Sequence, residues 1–188
     1  LQLEKKRYAI KAAAQYGLAL SYFENKQTVQ ALNILETLIK SDKDNLFYID
    51  AITDVYIANN QADAAIKMLE RLNLFMPNNQ VVSLNYANAL LSVKNYDLAT
   101  QILQDFLLVN PGNFIAYDIL TTSYRSQGKT GLMHMSKAEV LALLGAYSKA
   151  VDELQTSYAF LYEQPLMQKR VKARVLQFQE QESRLKRL

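Results

Sequence analysis

Residues 46–79 read LFYIDAITDVYIANNQADAAIKMLERLNLFMPNN, and residues 80–113 read QVVSLNYANALLSVKNYDLATQILQDFLLVNPGN. Written one beneath the other without a gap, the two stretches carry small, apolar and turn-forming residues at the same positions. The matching pairs are Ala65 and Ala99, Leu69 and Leu103, Leu72 and Phe106, Pro77 and Pro111, and Asn79 and Asn113. The chain therefore repeats itself with a period of 34 residues.

The same period extends towards the amino terminus. Residues 12–45 place Ala31, Leu35, Leu38 and Asn45 at the corresponding positions. A fixed period of this length is typical of helical repeats, in which each copy is a pair of helices that cannot bury its own apolar face. The shared alanine lets the two helices of a pair approach closely, since a bulkier side chain would separate them. The predicted fold class is all-α.

The fourth copy, residues 114–147, departs from the pattern. The segment Gly128-Lys-Thr-Gly131 interrupts it, and no in-phase alanine follows. A second register begins at position 131 and spans residues 131–161. Its matching residues are Ala138, Gly145, Tyr147, Ala150 and Leu154. We expect the helix near residues 131–144 to close one unit and to open the next, as irregular repeats at the end of an array often do.

About ten helices are expected from the apolar periodicity and the turn signals. Pro77 and Pro111 disfavour helical geometry in the residue before them, so the preceding helices should end near Phe75 and Val109. The expected ranges are 3–23, 28–41, 45–58, 61–75, 79–92, 95–109, 113–126, 131–144, 147–161 and 165–187.

The last of these helices is amphipathic. Its polar surface is rich in lysine and arginine, whereas its apolar residues fall at three- and four-residue spacing on one face. The residues of this apolar stripe are Met167, Val171, Val175, Phe178 and Leu185. We expect one face of the helix to dock on the repeats and the other to remain in solvent.

Composition excludes several classes of function. The chain has 188 residues and no cysteine, which rules out disulfides, thiolate metal sites and a cysteine nucleophile. Its net charge of +3 is too small to demand an anionic partner, so we expect no nucleic acid. No apolar run approaches the length of about 20 residues that a transmembrane helix needs.

Two short motifs suggest chemistry but are better explained by structure. His134, the single histidine, lies between two methionines, and we interpret all three as packing residues rather than as soft-metal ligands. The Gly-Lys-Thr triplet at residues 128–130 lacks the earlier glycine and the preceding strand of a phosphate-binding loop. We interpret it as a turn between helices.

The repeated positions are those of the tetratricopeptide repeat (TPR), which the chain resembles over about residues 12–160. The resemblance implies a superhelical solenoid, a single domain spanning 1–188, that binds protein or peptide segments in a concave groove lined by the first helix of each pair. Apolar anchors mixed with hydrogen-bonding groups suit this role, although some of them could instead pack against the final helix. The groove residues mapped in this way are Tyr16, Leu20, Phe23, Phe47, Asp50, Asp54, Ile57, Leu84, Asn88, Leu91, Asp118, Thr122 and Arg125.

A narrower resemblance rests on three stretches: AAQYGLAL at residues 13–20, AEVLALLGAYSKA at 138–150, and QKRVKAR at 168–174. Together they are similar to the TPR domain that follows the protease domain in periplasmic zinc metalloproteases of the BepA type. This resemblance implies a periplasmic fragment of a larger protein. It also implies that the groove binds outer-membrane β-barrel precursors and the barrel-assembly machinery.

None of the protease motif is present in this chain. The motif HExxH needs two histidines four residues apart, and the chain has only His134. We therefore expect no catalysis and no cofactor in this chain, with zinc confined to the missing protease domain.

Two other functions are compatible with the same fold. One is a free-standing TPR adaptor or scaffold for a multiprotein complex, and the other is a sensor that binds a signalling peptide. Binders of carboxyl-terminal carboxylates are argued against, because Asp50 and Asp54 occupy positions where those proteins hold an anion and would repel it.

Overall fold

A computed structural model describes the backbone of residues 2–187, and the side chains of residues 6, 7 and 10–187. Within that range the chain forms ten α-helices and no strand. They are α1 (Gln2–Glu24), α2 (Thr28–Ser41), α3 (Leu46–Ala58), α4 (Ala62–Phe75), α5 (Gln80–Ser92), α6 (Tyr96–Val109), α7 (Phe114–Ser126), α8 (Thr130–Leu143), α9 (Tyr147–Phe160) and α10 (Pro165–Leu185). Each predicted helix is confirmed, with both ends within two residues of the expected position. None of the described helices is long and apolar enough to cross a membrane.

The helices divide between two compact units, Leu1–Lys94 and Asn95–Leu188. Unit 1 contains α1 to α5 and unit 2 contains α6 to α10. The boundary falls inside the third 34-residue copy, at the link between its two helices.

Asparagines begin the helices that start a new repeat. Asn45, Asn79 and Asn113 are the N-caps of α3, α5 and α7, and each side chain accepts a hydrogen bond from a backbone N–H of the first turn. These bonds satisfy donors that no helix can satisfy internally. The in-phase asparagines are therefore explained by helix capping, and the helices before Pro77 and Pro111 end at Phe75 and Val109 as predicted.

The link inside each helix pair uses a left-handed residue, again at 34-residue spacing. Lys26, Asn60, Lys94 and Gly128 have φ values of 60°, 58°, 62° and 68°. Glycine adopts this conformation without strain, whereas lysine does not. Gly128 and Lys129 lie between α7 and α8, and Thr130 begins α8, so the Gly-Lys-Thr triplet joins two helices as predicted.

The core of unit 1 consists of the repeated alanines and leucines. Ala31, Leu35, Ala65 and Leu69 have no exposed surface. Ala31 and Leu35 lie in one buried cluster with Ile52 and neighbouring residues, and aromatic side chains from α1 and α3 pack against its edge. The predicted role of the in-phase alanines and leucines as packing residues is confirmed.

Unit 2 is organised around α8, which packs against both α7 and α9. Ala138 and Ala150, the small residues of the second register, are fully buried. The Ser157 hydroxyl on α9 donates a hydrogen bond of 2.7 Å to the Gly131 carbonyl of α8. Thus α8 completes the fourth copy and begins the overlapping one, as the sequence predicts.

The final helix docks on α9 through part of its apolar stripe. Val171 and Phe178 are buried, and Met167 and Val175 pack at the edge of the same cluster. Leu185, about two turns beyond Phe178, is 53% exposed, so the stripe extends past the docked part of the helix. An ion pair between Arg174 and Glu139 of α8, with two hydrogen bonds of 2.6 and 2.7 Å, adds a second attachment.

Removal of a capping side chain tests the role of the in-phase asparagines. We expect Asn79→Ala to destabilise the protein by about 1 kcal/mol, because the Val82 N–H loses its acceptor. Asn95→Ala is the matched control, since Asn95 is the N-cap of α6 but its side chain makes no capping hydrogen bond. Urea unfolding followed by circular dichroism measures both, and equal losses would contradict the capping role.

Two glycine-to-alanine substitutions test the close approach at α8. A Cβ on Gly131 would lie 2.7 Å from the buried Leu161 side chain, whereas a Cβ on Gly17 in α1 would meet nothing within 4 Å. We expect Gly131→Ala to destabilise by about 1–3 kcal/mol through overpacking. Gly17→Ala should stabilise by about 0.5–1 kcal/mol through helix propensity. In thermal and urea unfolding, Gly131→Ala should therefore lower the unfolding midpoint and Gly17→Ala should raise it. A change in the same direction for both variants would refute the packing argument.

Candidate partner-binding face

Unit 1 presents a face formed by α1, α3 and α5, the first helices of its repeats. The helix α3 packs against both α1 and α5. Ten of the predicted groove residues lie on these three helices, and the remaining three lie on α7 in unit 2. We call the surface around Tyr16, Phe47, Asp50 and Asp54 the α1/α3 face.

A cavity with a volume of ≈ 470 Å³ lies between α1 and the start of α3. Its walls are mostly apolar, and Phe47 at its edge is 72% exposed. The rings of Tyr16 and Tyr48 lie 5.5 Å apart, centroid to centroid. The lining residues are Ala12, Ala13, Tyr16, Asp42, Asn45, Phe47 and Tyr48. The cavity is therefore large enough for one apolar side chain of a partner.

Two carboxylates continue the face along α3. The Asn85 side chain of α5 donates a hydrogen bond of 2.8 Å to Asp50 Oδ1, which ties α5 to α3. Burial, and then the charge of Asp50, raises the pKa of Asp54 above its ordinary value of 3.8. Burial and the Asp50 and Tyr48 side chains also raise the pKa of Tyr16. This end of the face is therefore negative.

The other predicted residues of unit 1 differ in exposure. Leu20 and Asn88 are exposed, whereas Phe23, Ile57 and Leu91 are half-buried. Phe23 packs against the core of the unit. Leu84 is only 8% exposed, so it offers almost no surface to a partner and we remove it from the proposed contact set.

In unit 2 the predicted residues Asp118, Thr122 and Arg125 are exposed on α7. A cavity with a volume of ≈ 520 Å³ is lined instead by other residues of α7, which include Tyr117 and Tyr124. Its other walls include side chains from α6, α8 and α10.

The side chains of this second cavity are held by hydrogen bonds and charge. Gln104 donates a hydrogen bond of 2.8 Å to the Tyr124 hydroxyl. Burial, followed by the Glu139 carboxylate, raises the pKa of Tyr117, while Arg174 opposes the rise. No sequence motif marks these tyrosines as cavity residues, because the cavity is completed by side chains of helices α8 and α10.

His134 is part of a charged cluster between α8 and α9. Its Nδ1 lies 2.6 Å from Glu153 Oε2, and Lys137 pairs with the other oxygen of Glu153 at 2.6 Å. Partial burial pushes the pKa of Glu153 upwards, but the hydrogen bonds from Lys137 and His134 outweigh it and lower the pKa. Phe160 stacks on the imidazole. The arrangement joins two helices, in keeping with the predicted packing role.

The paired helices, their 34-residue period and the exposed face define a helical-repeat scaffold of the protein-binding class. Family models described as tetratricopeptide repeat match residues 13–45 and 56–123, together more than half of the chain. The chain belongs to the tetratricopeptide repeat family. It is an interaction domain, because the TPR fold is a binding scaffold and not a catalytic one.

The chain is similar in sequence to proteins named beta-barrel assembly-enhancing protease. The chain is 34% identical over 175 residues to a putative beta-barrel assembly-enhancing protease of Vibrio cholerae and 27% identical over 175 residues to that of Yersinia pestis. It is 29% identical over 174 residues to that of Escherichia coli K12. Each match covers 93% of this chain but only 36% of the relative. The resemblance expected from the sequence is confirmed, and it concerns about a third of those proteins' length.

Solved structures confirm the fold. MamA of MSR-1 has a TM-score of 0.56 at 20% identity, with 93% of this chain and 98% of that chain covered. TTC0263, a TPR protein of Thermus thermophilus, has a TM-score of 0.56 at 12% identity, with 88% and 99% covered. Identities this low show the fold alone.

The raised pKa of Asp54 leads to a prediction about stability. At neutral pH the carboxylates of Asp50 and Asp54, one helical turn apart, repel each other, so we expect Asp54→Asn to stabilise by about 0.2–0.5 kcal/mol. The gain should shrink as the pH falls through the raised pKa towards 3.8, because folded wild-type protein then takes up the proton.

The control for this prediction is Asp63→Asn. Asp63 lies in the first turn of α4, where a carboxylate is favourable, so this substitution should destabilise slightly. Urea unfolding at about pH 7 and about pH 4 compares the two variants. A gain from Asp54→Asn that is independent of pH would refute the electrostatic explanation.

Proposed function

We propose that this chain is the partner-binding part of a periplasmic protein of the beta-barrel assembly-enhancing protease type, and that it binds outer-membrane β-barrel precursors and the barrel-assembly machinery. The observation that carries the proposal is the extent of the similarity. It includes 175 of 188 residues, so it necessarily takes in most of α8 to α10, which the repeat models leave unmatched. If the similarity reflected only the 34-residue period, it would end with the last regular copy, residues 80–113.

In this proposal the chain contributes position rather than chemistry. A segment held on the repeats is kept near the protease centre of the parent protein, at an effective concentration of about millimolar for a short flexible connection. The zinc ion is held elsewhere in the parent protein, because HExxH requires two histidines and this chain has one.

The α1/α3 face is the surface that best fits capture of an unfolded or extended segment. Phe47 supplies an exposed aromatic anchor beside a cavity, and hydrogen-bonding and charged groups surround it. Interfaces obtain most of their binding energy from a few such anchors. The cavity is already formed in the free chain between α1 and the start of α3, and such preorganisation lowers the entropy cost of binding.

A free-standing adaptor is the second candidate. One observation favours it: the matched chains of MamA and TTC0263 are covered over 98% and 99% of their length, so a TPR fold of this extent forms without a protease domain in the same chain. Sequencing the coding region upstream of Leu1 separates the two candidates. A secretion signal followed by HExxH supports the protease-linked function, and a reading frame without HExxH supports the adaptor.

Substitution of Phe47 tests the proposed capture surface. We expect Phe47→Ala to weaken binding of a urea-denatured outer-membrane β-barrel protein, diluted from denaturant, by about tenfold or more, because an aromatic anchor is lost. Phe75→Ala is the matched control, since Phe75 is 76% exposed at the end of α4 and does not line this cavity. Fluorescence anisotropy of the labelled precursor reports the affinity. Equal losses in both variants, or no binding by the wild-type chain, would overturn the proposal.

A further inference from the structure

The exposed side chains of the α1/α3 face follow one stripe along α3. Phe47, Asp50 and Asp54 are separated by three and four residues, which places them on the same side of the helix. With a rise of about 1.5 Å per residue, Asp50 lies about 4.5 Å and Asp54 about 10 Å along the helix from Phe47. An apolar subsite is therefore followed directly by two acidic groups.

The negative charge on this stripe has no neutralising partner within the described part of the chain. No described lysine or arginine lies within 4.0 Å of Asp50 or Asp54. The Asn85 amide that donates to Asp50 Oδ1 is neutral, so it leaves the charge of the carboxylate in place. Asp42, a third acidic residue, lies at the wall of the cavity itself.

The surroundings of these carboxylates make them favourable sites for a cation. Asp54 is partly desolvated, which raises its pKa, so an incoming positive charge meets a stronger field there than on an open surface. Tyr16 on α1 is exposed to the same field, because burial and then the Asp50 charge raise its pKa.

We propose that the α1/α3 face selects polypeptide segments in which an aromatic or aliphatic residue is followed, two residues away, by lysine or arginine. The apolar side chain occupies the cavity beside Phe47, and the cationic side chain pairs with Asp50 and Asp54. The spacing follows from the rise of about 3.3 Å per residue in an extended segment. The inference rests on the proposed function, because it names the chemistry of the segment captured on that face.

Charge complementarity favours this occupant over others. An acidic segment, a free carboxyl terminus or a phosphorylated segment would bring negative charge against three aspartates and be repelled. A segment with no charge would fill the cavity but leave the two carboxylates of α3 uncompensated.

Peptides of defined composition test the selectivity with the intact chain. The probe is a fluorescein-labelled peptide in which each phenylalanine is followed two residues later by an arginine, with serine at the positions between them, so that both side chains point to the same face of an extended segment. The comparison peptides replace arginine by glutamate, arginine by serine, or phenylalanine by serine. We expect the phenylalanine–arginine peptide to bind at least about tenfold more tightly than the glutamate or serine versions, and its affinity to fall as salt is raised from low to physiological concentration.

A double substitution connects this selectivity to the two carboxylates. Asp50→Asn with Asp54→Asn should weaken binding of the phenylalanine–arginine peptide about tenfold and change binding of the phenylalanine–serine peptide less than about twofold. The control is Asp105→Asn with Asp152→Asn, which removes two exposed carboxylates from α6 and α9 and changes the net charge equally. It should alter both affinities by less than about twofold.

Three results would overturn the inference: no binding of the phenylalanine–arginine peptide, tighter binding of the glutamate peptide, or equal effects of the two double variants. Equal effects of the two double variants would mean that net charge alone attracts the peptide.

The proposed function has its own test, which is the binding of the β-barrel precursor. If Phe47 is needed to bind the β-barrel precursor while the Asp50 and Asp54 substitutions change nothing, the inference fails and the function stands. If the peptide results hold and no precursor binds, the function fails and the selectivity stands.

Discussion

Close approach of two helices at a buried alanine is the constraint on which the rest of this structure depends. Ala31, Ala65 and Ala150 have no exposed surface and lie on helices that pack against the other helix of their pair. A larger side chain there would separate the helices, because protein interiors are packed too densely to absorb extra volume. Once the second helices are held in this way, the first helices are left to present side chains outwards. The partner-binding face is thus a consequence of the same alanines that build the core.

Unit 2 solves the same packing problem with different residues. Where α8 begins, the small residue is Gly131, whose missing Cβ makes room for Leu161. The helix can then pack against α7 on one side and α9 on the other, and α10 covers the exposed side of α9. The ion pair between Arg174 and Glu139 holds α10 to α8 as well. Docking of α10 thus buries Val171 and Phe178 together with part of the surface of α9.

The α1/α3 face retains features that packing does not explain. Two aspartates stand one turn apart on α3 without a described cationic neighbour, beside an aromatic side chain that is mostly exposed. Both features cost stability in the free protein. Groups that are unfavourable by themselves and become favourable when a partner binds are typical of functional surfaces. The physical properties of this face thus agree with the role that the family relationship supports.

The sequence by itself determined the period, the helix ends and the buried alanine and leucine positions. Each depends on local rules: asparagine caps, proline stops, short links at Asn60 and Lys94, and apolar spacing along one helix. Only the tertiary structure decided which outward residues are accessible. Leu84 was expected on the binding surface and is buried, Leu185 continues an apolar stripe and is exposed, and Tyr117 with Tyr124 line a cavity that no motif marks. Exposure depends on side chains from helices distant in sequence, and a repeat pattern describes only the contacts that recur in every copy.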